Sequence, residues 1–400
     1  MSAPHQLFIS KEMRAEISGR IIKIQNEMAS LGAEAMLVAS NANLIYSSGL
    51  LFRGYVFIPS SGHAIYFVMR PTVFDKEEDV VYIRKPEQIP EHLDRLGIRM
   101  PDTVALERDT LFYSEEIRLE KVFGNATVVN ASQALRNARM VKTPFELKLM
   151  EIDGTRQAEA YRHISGLYHS DMTDIELQIE IERVLRREGC LGYPRVAGRL
   201  MEISLGSLIN GDNADVPGPY EFAMGGAGID PSLPGGADGS IMHPGTTVMV
   251  DMNGAFNEYQ TDMTRVWRIG EIPEIAFKAH ECSRRILRTL EKEALPGIAA
   301  STLYDRALAI AEEEGLADFF MGHRQKAGFI GHGVGIELNE MPPIAPRIST
   351  PLAENMTIAL EPKFVIPHIG AVGVENTYVV TAEGLRPLTV FPEEIQELPV

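Results

Sequence analysis

The sequence predicts two domains, an α/β domain over residues 1–138 followed by a larger α+β domain over residues 139–400. Three observations lead there. The chain has 400 residues, more than one ordinary hydrophobic core organises. Its first third alternates helix-period and strand-period segments, the pattern of an α/β layer. Its remainder runs twice through one order of elements, two helices and then a strand hairpin, as two related halves of an α+β domain would.

Taken in chain order, residues 10–32 carry apolar residues at helical spacing and stop at Gly32. Segments 35–40, 55–59, 63–69, 80–83, 103–107 and 126–132 are short, apolar and rich in β formers, and read as strands. The join falls near 135–143. There "VKTPFELKLM" opens a helix over 143–168, with Thr143 as N-cap, Pro144 as first helical residue and Glu146 closing a capping box. A second box, Thr173 to Glu176, opens a helix that runs to about Glu188. A hairpin follows over 246–268, two helices over 274–294 and 301–315, and another hairpin over 356–380. Residues 211–244 break this order with eight glycines and five prolines in 34 positions. A loop of that length is expected to form a lid or rim over a functional site.

Composition narrows the function classes. With 45% hydrophobic and 23% charged residues the chain is of globular type. A formal net charge of −17, dispersed along the chain, repels phosphate backbones, so neither nucleic acid nor an anionic membrane is expected as a partner. No window approaches the ~18 uninterrupted apolar residues that span a bilayer, and the N-terminal segment lacks the apolar core of a signal peptide. Cys190 and Cys282 form neither a disulfide framework nor a CxxC metal spacing. A cytoplasmic protein is expected.

The informative residues are acids in expensive places. Asp251 follows the apolar run "TTVMV", Asp262 lies in "YQTDMTRVW", Glu361 follows "MTIAL", and Glu375 sits in "GAVGVENTYVV". A buried carboxylate costs several kcal/mol unless it is paired or bound to a cation. In a hairpin, opposed residues have a constant index sum. A turn centred on Phe256–Asn257 sets Asp251 opposite Asp262, and a turn centred on His368 sets Glu361 opposite Glu375. Like charges so placed repel unless a cation lies between them. His332, between glycines in "GFIGHGVGIELNE", adds one nitrogen to the four carboxylates. Such a hard, oxygen-rich set suits Mn²⁺, Fe²⁺ or Co²⁺, and accommodates Zn²⁺. Five ligands with bridging-capable carboxylates imply two divalent metal ions, roughly 3.5–4 Å apart.

With these residues in hand, the chain resembles the creatinase/prolidase/aminopeptidase P superfamily, the "pita-bread" metallopeptidases, and most closely its Xaa-Pro dipeptidase and aminopeptidase branch. "ANLIYSSGL" (42–50) resembles the creatinase-like N-terminal domain, and "ARMVKTPFELKLM" (138–150) its join to the catalytic domain. "VDMNGAFNEYQTDMTR" (250–265), "GHGVGIELNEMP" (331–342) and "ALEPKFVIPHIGAVGVEN" (359–376) resemble the aspartate, histidine and glutamate motifs of the pita-bread domain. The resemblance implies that Asp251, Asp262, His332, Glu361 and Glu375 ligate the metals and that Glu361 also orients or deprotonates the attacking water. It implies cleavage of an amide bond in a short peptide, Xaa-Pro by preference, and a homodimer, although the sequence shows no specific dimer signal.

The departures carry equal weight. Gly218, Asn339, Gly328 and Gly373 stand where the family peptidases usually have three histidines and an arginine. Asn339 donates a hydrogen bond but transfers no proton at neutral pH. Glu340 is either a support for the ligands or a participant in catalysis, so the candidate catalytic residues are Glu361, Glu340 and Asn339. His243, His323 and His368 are candidate replacements for the missing histidines, each with solvated surface histidine as the alternative. These departures keep a second reading open, a non-peptidase of the same fold acting on a small amide, amidine or sulfonium metabolite. A catalytically silent binding module is disfavoured, because this chain keeps all five expected ligands.

Overall fold

A computed structural model describes residues 10–72, 79–198 and 203–399; the first nine residues, part of the segment read for a signal core, lie outside them. The chain divides into two compact units, Met1–Arg139 and Met140–Val400.

The first unit is α/β. Helix α1 (Lys11–Leu31) starts on a Ser10 cap whose hydroxyl accepts from Met13 N, and ends where Gly32 turns left-handed. It is followed by β1 (Ala35–Val38), α2 (Asn41–Ser48), β2 (Arg53–Pro59), β3 (Ile65–Arg70), β4 (Val80–Tyr82), α3 (Ile89–Arg95), β5 (Thr103–Leu106), α4 (Tyr113–Phe123), β6 (Thr127–Asn130) and α5 (Ser132–Met140). The strands form one mixed sheet in the order β4-β3-β2-β1-β5-β6. Strands β1, β5 and β6 run parallel, whereas β1, β2 and β3 are antiparallel neighbours. Each predicted strand is present, with ends within a few residues of those expected. Of the helices in this unit only α1 was anticipated. Helices α2 and α3 span two turns, too short for a 3.6-residue period to stand out.

The second unit is α+β. Helices α6 (Pro144–Tyr161) and α7 (Asp174–Arg187) both start in the predicted capping boxes, Thr143 with Glu146 and Thr173 with Glu176. They lead into β7 (Gly206–Asn210), β8 (Thr246–Gly254) and β9 (Thr261–Ile269). Next come α8 (Glu274–Glu293), α9 (Ala300–Glu313), β10 (Gly331–Gly333), β11 (Thr357–Leu360), β12 (Lys363–Ile366), β13 (Gly370–Gly373), β14 (Asn376–Thr381), β15 (Gly384–Pro387) and β16 (Gln396–Leu398). Two four-stranded sheets result, β16-β9-β8-β7 and β10-β11-β14-β15, with β12-β13 as a separate hairpin. One apolar core joins α6 and α7 to β7, β8 and β9 through Tyr161, Ile181, Leu208, Val250 and Trp267. The other joins α8 and α9 to β11–β14 through Ile286, Leu290, Ile310, Ile358 and Val372. The repeated order of helix pair and hairpin is therefore a repeated packing unit.

The two hairpins differ in how they meet expectation. In the second, Lys363 pairs with Gly373 and Leu360 with Asn376, an index sum of 736 throughout, so the turn is centred on His368 and Glu361 falls opposite Glu375. In the first, Asp251 pairs with Thr264 and Asn253 with Asp262. Its index sum is 515 where direct opposition of the two aspartates needs 513, so Asp251 and Asp262 are diagonal neighbours. The physical reason is the loop. Asn257 Oδ1 accepts from Tyr259 N, and Asn257 Nδ2 donates to Leu149 O and to Asp153, which moves the turn centre towards Glu258. The slip is of two residues, so both aspartates keep the same face.

Candidate metal centre

The centre lies where the two sheets of the second unit adjoin. Asp262 N donates to Thr377 Oγ1 (2.7 Å), and Glu375 N donates to Thr264 O (3.3 Å). Arg265, 1% exposed, fixes the seam. Its Nη1 donates to the carbonyls of Thr264 and Glu375, both at 2.7 Å, and its Nη2 to Asn376 Oδ1 at 2.7 Å. Asp251 comes from β8, Asp262 from β9 and His332 from β10. Glu361 and Glu375 stand at the breaks between β11 and β12 and between β13 and β14. Ladder bonding gives way there, and the side chains turn inward.

The structure brings all five predicted ligands together, in two overlapping trios. Asp262, His332 and Glu375 offer ligand atoms within 4.8 Å of one another, and so do Asp251, Glu361 and Glu375. His332 Nε2 lies 3.9 Å from Asp262 Oδ2 and 3.7 Å from Glu361 Oε1. Its Nδ1 lies 3.0 Å from Gly333 O. A carbonyl only accepts, so Nδ1 donates to it and Nε2 is the ring nitrogen turned to the carboxylates, the arrangement in which a histidine ligates a metal. The flanking glycines are needed for backbone approach: a Cβ at Gly331 would lie 2.1 Å from Ala359 O, and one at Gly333 2.2 Å from Met341 O. Glu375 Oε2 accepts from Thr264 Oγ1 at 2.6 Å, whereas its Oε1 is buried without a hydrogen-bond partner.

One residue of the centre was not anticipated. Lys363 has no solvent exposure, and its Nζ lies 2.8 Å from Asp251 Oδ2, 2.7 Å from Glu361 Oε2 and 3.2 Å from Glu375 Oε2. A signal for it was present in "ALEPKFVI": a lysine two residues beyond a buried acid falls on the same face of a strand. Burial alone would depress the Lys363 ammonium, but the Asp251, Glu361 and Glu375 carboxylates outweigh it and hold the group charged. Burial, with Glu375, Asp251 and Glu361 adding like charge, raises Asp262 far above the usual carboxylate range. Burial and Glu361, with Asp251 behind them and against the pull of Lys363, push Glu375 up to about 8. Burial, against the pull of Lys363 and with Asp251 adding like charge, raises Glu361 as well, so four acids sharing one ammonium lack positive charge.

A cleft of about 960 Å³ opens over these groups, lined by Asp251, Asp262, His332 and Glu361. The Gly/Pro-rich stretch forms part of its rim. Asp215, Val216, Gly218–Met224 and Gly235 line the cleft, and the stretch is held in place by Asn213 Nδ2 donating to Gly236 O (2.9 Å) and by Asp174 accepting from Asp238 N and Gly239 N. Asn339 and Glu340 also line it, but both are committed to protein groups. Asn339 Oδ1 accepts from Ala197 N and Nδ2 donates to Ala197 O, each at 2.7 Å, so it clamps a wall of the cleft. Glu340 Oε2 accepts from the buried Lys142 Nζ at 2.9 Å, and its Oε1 from the backbone of Ile336 and Glu337. The three candidate replacement histidines lie off the cleft: His243 is exposed, His323 pairs with Asp215, and His368, 89% exposed, pairs with Asp212. Among the described residues that line the cleft, His332 is the only histidine.

Residues 148–382 match metallopeptidase family M24, and residues 20–141 match the creatinase/prolidase N-terminal domain. An Xaa-Pro dipeptidase of Pyrococcus horikoshii is 25% identical over 380 residues, covering 94% of this chain and 98% of the relative. An uncharacterized peptidase of Bacillus subtilis is 25% identical over 392 residues, covering 94% and 99%. The solved structure of an Xaa-Pro dipeptidase from Bacillus anthracis superposes with a TM-score of 0.79 at 20% identity, covering 96% of this chain and all of the other. That likeness is one of fold.

Proposed function

We propose, on the premise that this chain belongs to metallopeptidase family M24, that it is a divalent-metal-dependent hydrolase cleaving an amide bond of a short peptide, Xaa-Pro by preference. The single observation that carries the metal is the donor set itself: His332 Nε2 turned to the carboxylates, a buried Asp262, and Glu375 Oε1 buried without a partner, with ligand atoms of the three within 4.8 Å of one another. Those three residues would hold the ion. Mn²⁺, Co²⁺ and Fe²⁺ suit a set of two carboxylates and one imidazole, which also accommodates Zn²⁺. The Xaa-Pro preference rests on relatives of matching length that carry that activity in their names.

A divalent ion in such a site acidifies water and polarises a carbonyl. The chain's own groups supply the rest. Glu361 is the general base: Lys363 pins its Oε2, while Oε1 lies 3.7 Å from His332 Nε2 on the cleft side. It takes the proton of the attacking water and returns it to the leaving amine. Asn339 and Glu340 are positioning residues that shape the cleft wall, since their polar atoms are bonded to Ala197, Lys142 and backbone. Residues 214–216 and 218–224 form part of the rim over this cleft.

A second reading keeps the fold and the ion but changes the substrate to a small amide, amidine or sulfonium compound. What favours it is that His332 is the only histidine lining the cleft among the described residues, which leaves Glu361 alone to move protons for an amine leaving group. The Mn²⁺-loaded protein assayed on Xaa-Pro dipeptides and Xaa-Pro-Yaa peptides decides between them. Release of the N-terminal residue, falling more than about 100-fold in Asp262→Ala, is expected, a first-ligand loss exceeding the 10–100-fold typical of outer partners. No turnover above that variant ends the peptidase reading; turnover of a small metabolite without peptidase activity establishes the second.

A further inference from the structure

We propose that the Lys363 ammonium is a built-in cation filling one of the two cation places in the acid cluster, so that the centre takes one divalent ion, at Asp262, His332 and Glu375. The ion rests on the metal-dependent reading above; the lysine rests on geometry alone.

An ammonium has three N–H donors and no lone pair. Here each donor meets a different carboxylate: Asp251 at 2.8 Å, Glu361 at 2.7 Å and Glu375 at 3.2 Å. A metal ion shared by these same oxygens would stand about 2.0–2.2 Å from them, in the space Nζ occupies. The two cations exclude one another, and Lys363, with no solvent exposure, carries its charge into the cluster on a stem that is itself buried.

The fold makes room for that stem. Lys363 pairs directly with Gly373 across the hairpin. A Cβ at 373 would lie 2.6 Å from Pro362 O and 3.2 Å from Lys363 Cγ, at a backbone φ of +148° that L side chains rarely adopt. Gly373 is the position where the resemblance leads one to expect an arginine. The glycine leaves room for the stem by which a cation enters the cluster from position 363.

The other trio is different. Among the described residues, no lysine or arginine makes an ion pair with Asp262, and the His332 ring nitrogen lies 3.9 Å from its Oδ2. Glu375 Oε1 is buried without a hydrogen-bond partner, and His332 Nε2 faces Asp262 and Glu361. One place is filled by the protein, and one is built for an exogenous cation.

The test is Mn²⁺ stoichiometry of the full-length protein, stripped by chelation and reloaded, read by elemental analysis and by electron paramagnetic resonance. The wild type is expected to bind one Mn²⁺ per chain with the spectrum of an isolated ion. Lys363→Gly is expected to bind one ion more than the wild type, with the spectrum of two coupled ions. Asp251→Asn keeps the lysine and serves where Lys363→Gly is not recovered folded: it is expected to retain one ion with affinity changed less than about tenfold, because Asp251 faces the ammonium. Two ions in the wild type, no gain in Lys363→Gly, or a larger loss of affinity in Asp251→Asn would overturn the proposal. A wild type without metal whose Lys363→Gly variant gains one ion would uphold the lysine's role and refute the metal-dependent reading, so the two failures are separable.

Discussion

Lys142 and Glu340 show how much of this centre is held by charge kept out of water. Their side chains are 1% and 4% exposed and 2.9 Å apart. Removing one partner of such a pair strands the other charge, at a cost of about 3–5 kcal/mol. Lys142→Met is therefore expected to lower the unfolding free energy by about that amount in denaturant titration, and Lys142→Met/Glu340→Gln to recover part of it. A loss below about 1 kcal/mol would mean that the pair is not isolated from solvent. Residue identity was legible for the acid cluster, because acids inside apolar β runs are costly and therefore informative. Asp251, Asp262, His332, Glu361 and Glu375 could be named on that ground together with motif resemblance. Lys363 was not, because a lone lysine in a strand ordinarily reads as a solvated side chain. The contacts of its Nζ with three carboxylates set it apart, beyond the spacing from Glu361.

Among the elements, capping boxes read true because they are local: Thr143 and Glu146 bond each other's backbone whatever surrounds them. The hairpin of β8 and β9 did not, because its register depends on Asn257 reaching α6 through Leu149 O, a contact invisible in the loop's own sequence. Helix α8 carries a further consequence. His280, 4% exposed, has its Nε2 2.6 Å from Glu393 O, and burial lowers its pKa from 6.5 to about 4. The folded state holds this imidazole neutral while the unfolded chain protonates it below 6.5. The stability it contributes is complete above that pH and is lost as pH falls towards 4. Between pH 7 and pH 5 the difference amounts to about 2 kcal/mol. Chemical denaturation of wild type and His280→Gln at the two pH values is expected to show the wild type losing about that much more stability. Equal losses would place the acid sensitivity elsewhere.

For the whole molecule, the repeated order of helix pair and hairpin proved to be two packing units, one core on α6 and α7 and the other on α8 and α9. The first supplies Asp251 and Asp262, the second His332, Glu361 and Glu375, so the centre depends on both halves being folded together. The two-domain division was readable from length and element order; the cleft wall was not, since Asn339 reaches Ala197 across 142 positions of sequence. No helix among the described residues is long and apolar enough to cross a membrane. On the proposal above, the cleft of the second unit has an acid cluster beneath it, with one cation provided by Lys363 and one to be acquired. The most direct measurement of that claim is anomalous X-ray diffraction from crystals of the Mn²⁺-loaded protein. The expected map has a single Mn peak between Asp262, His332 and Glu375, with Lys363 Nζ still against Asp251 and Glu361. Two peaks, with the lysine displaced from the Asp251, Glu361 and Glu375 carboxylates, or no peak at all, would contradict it.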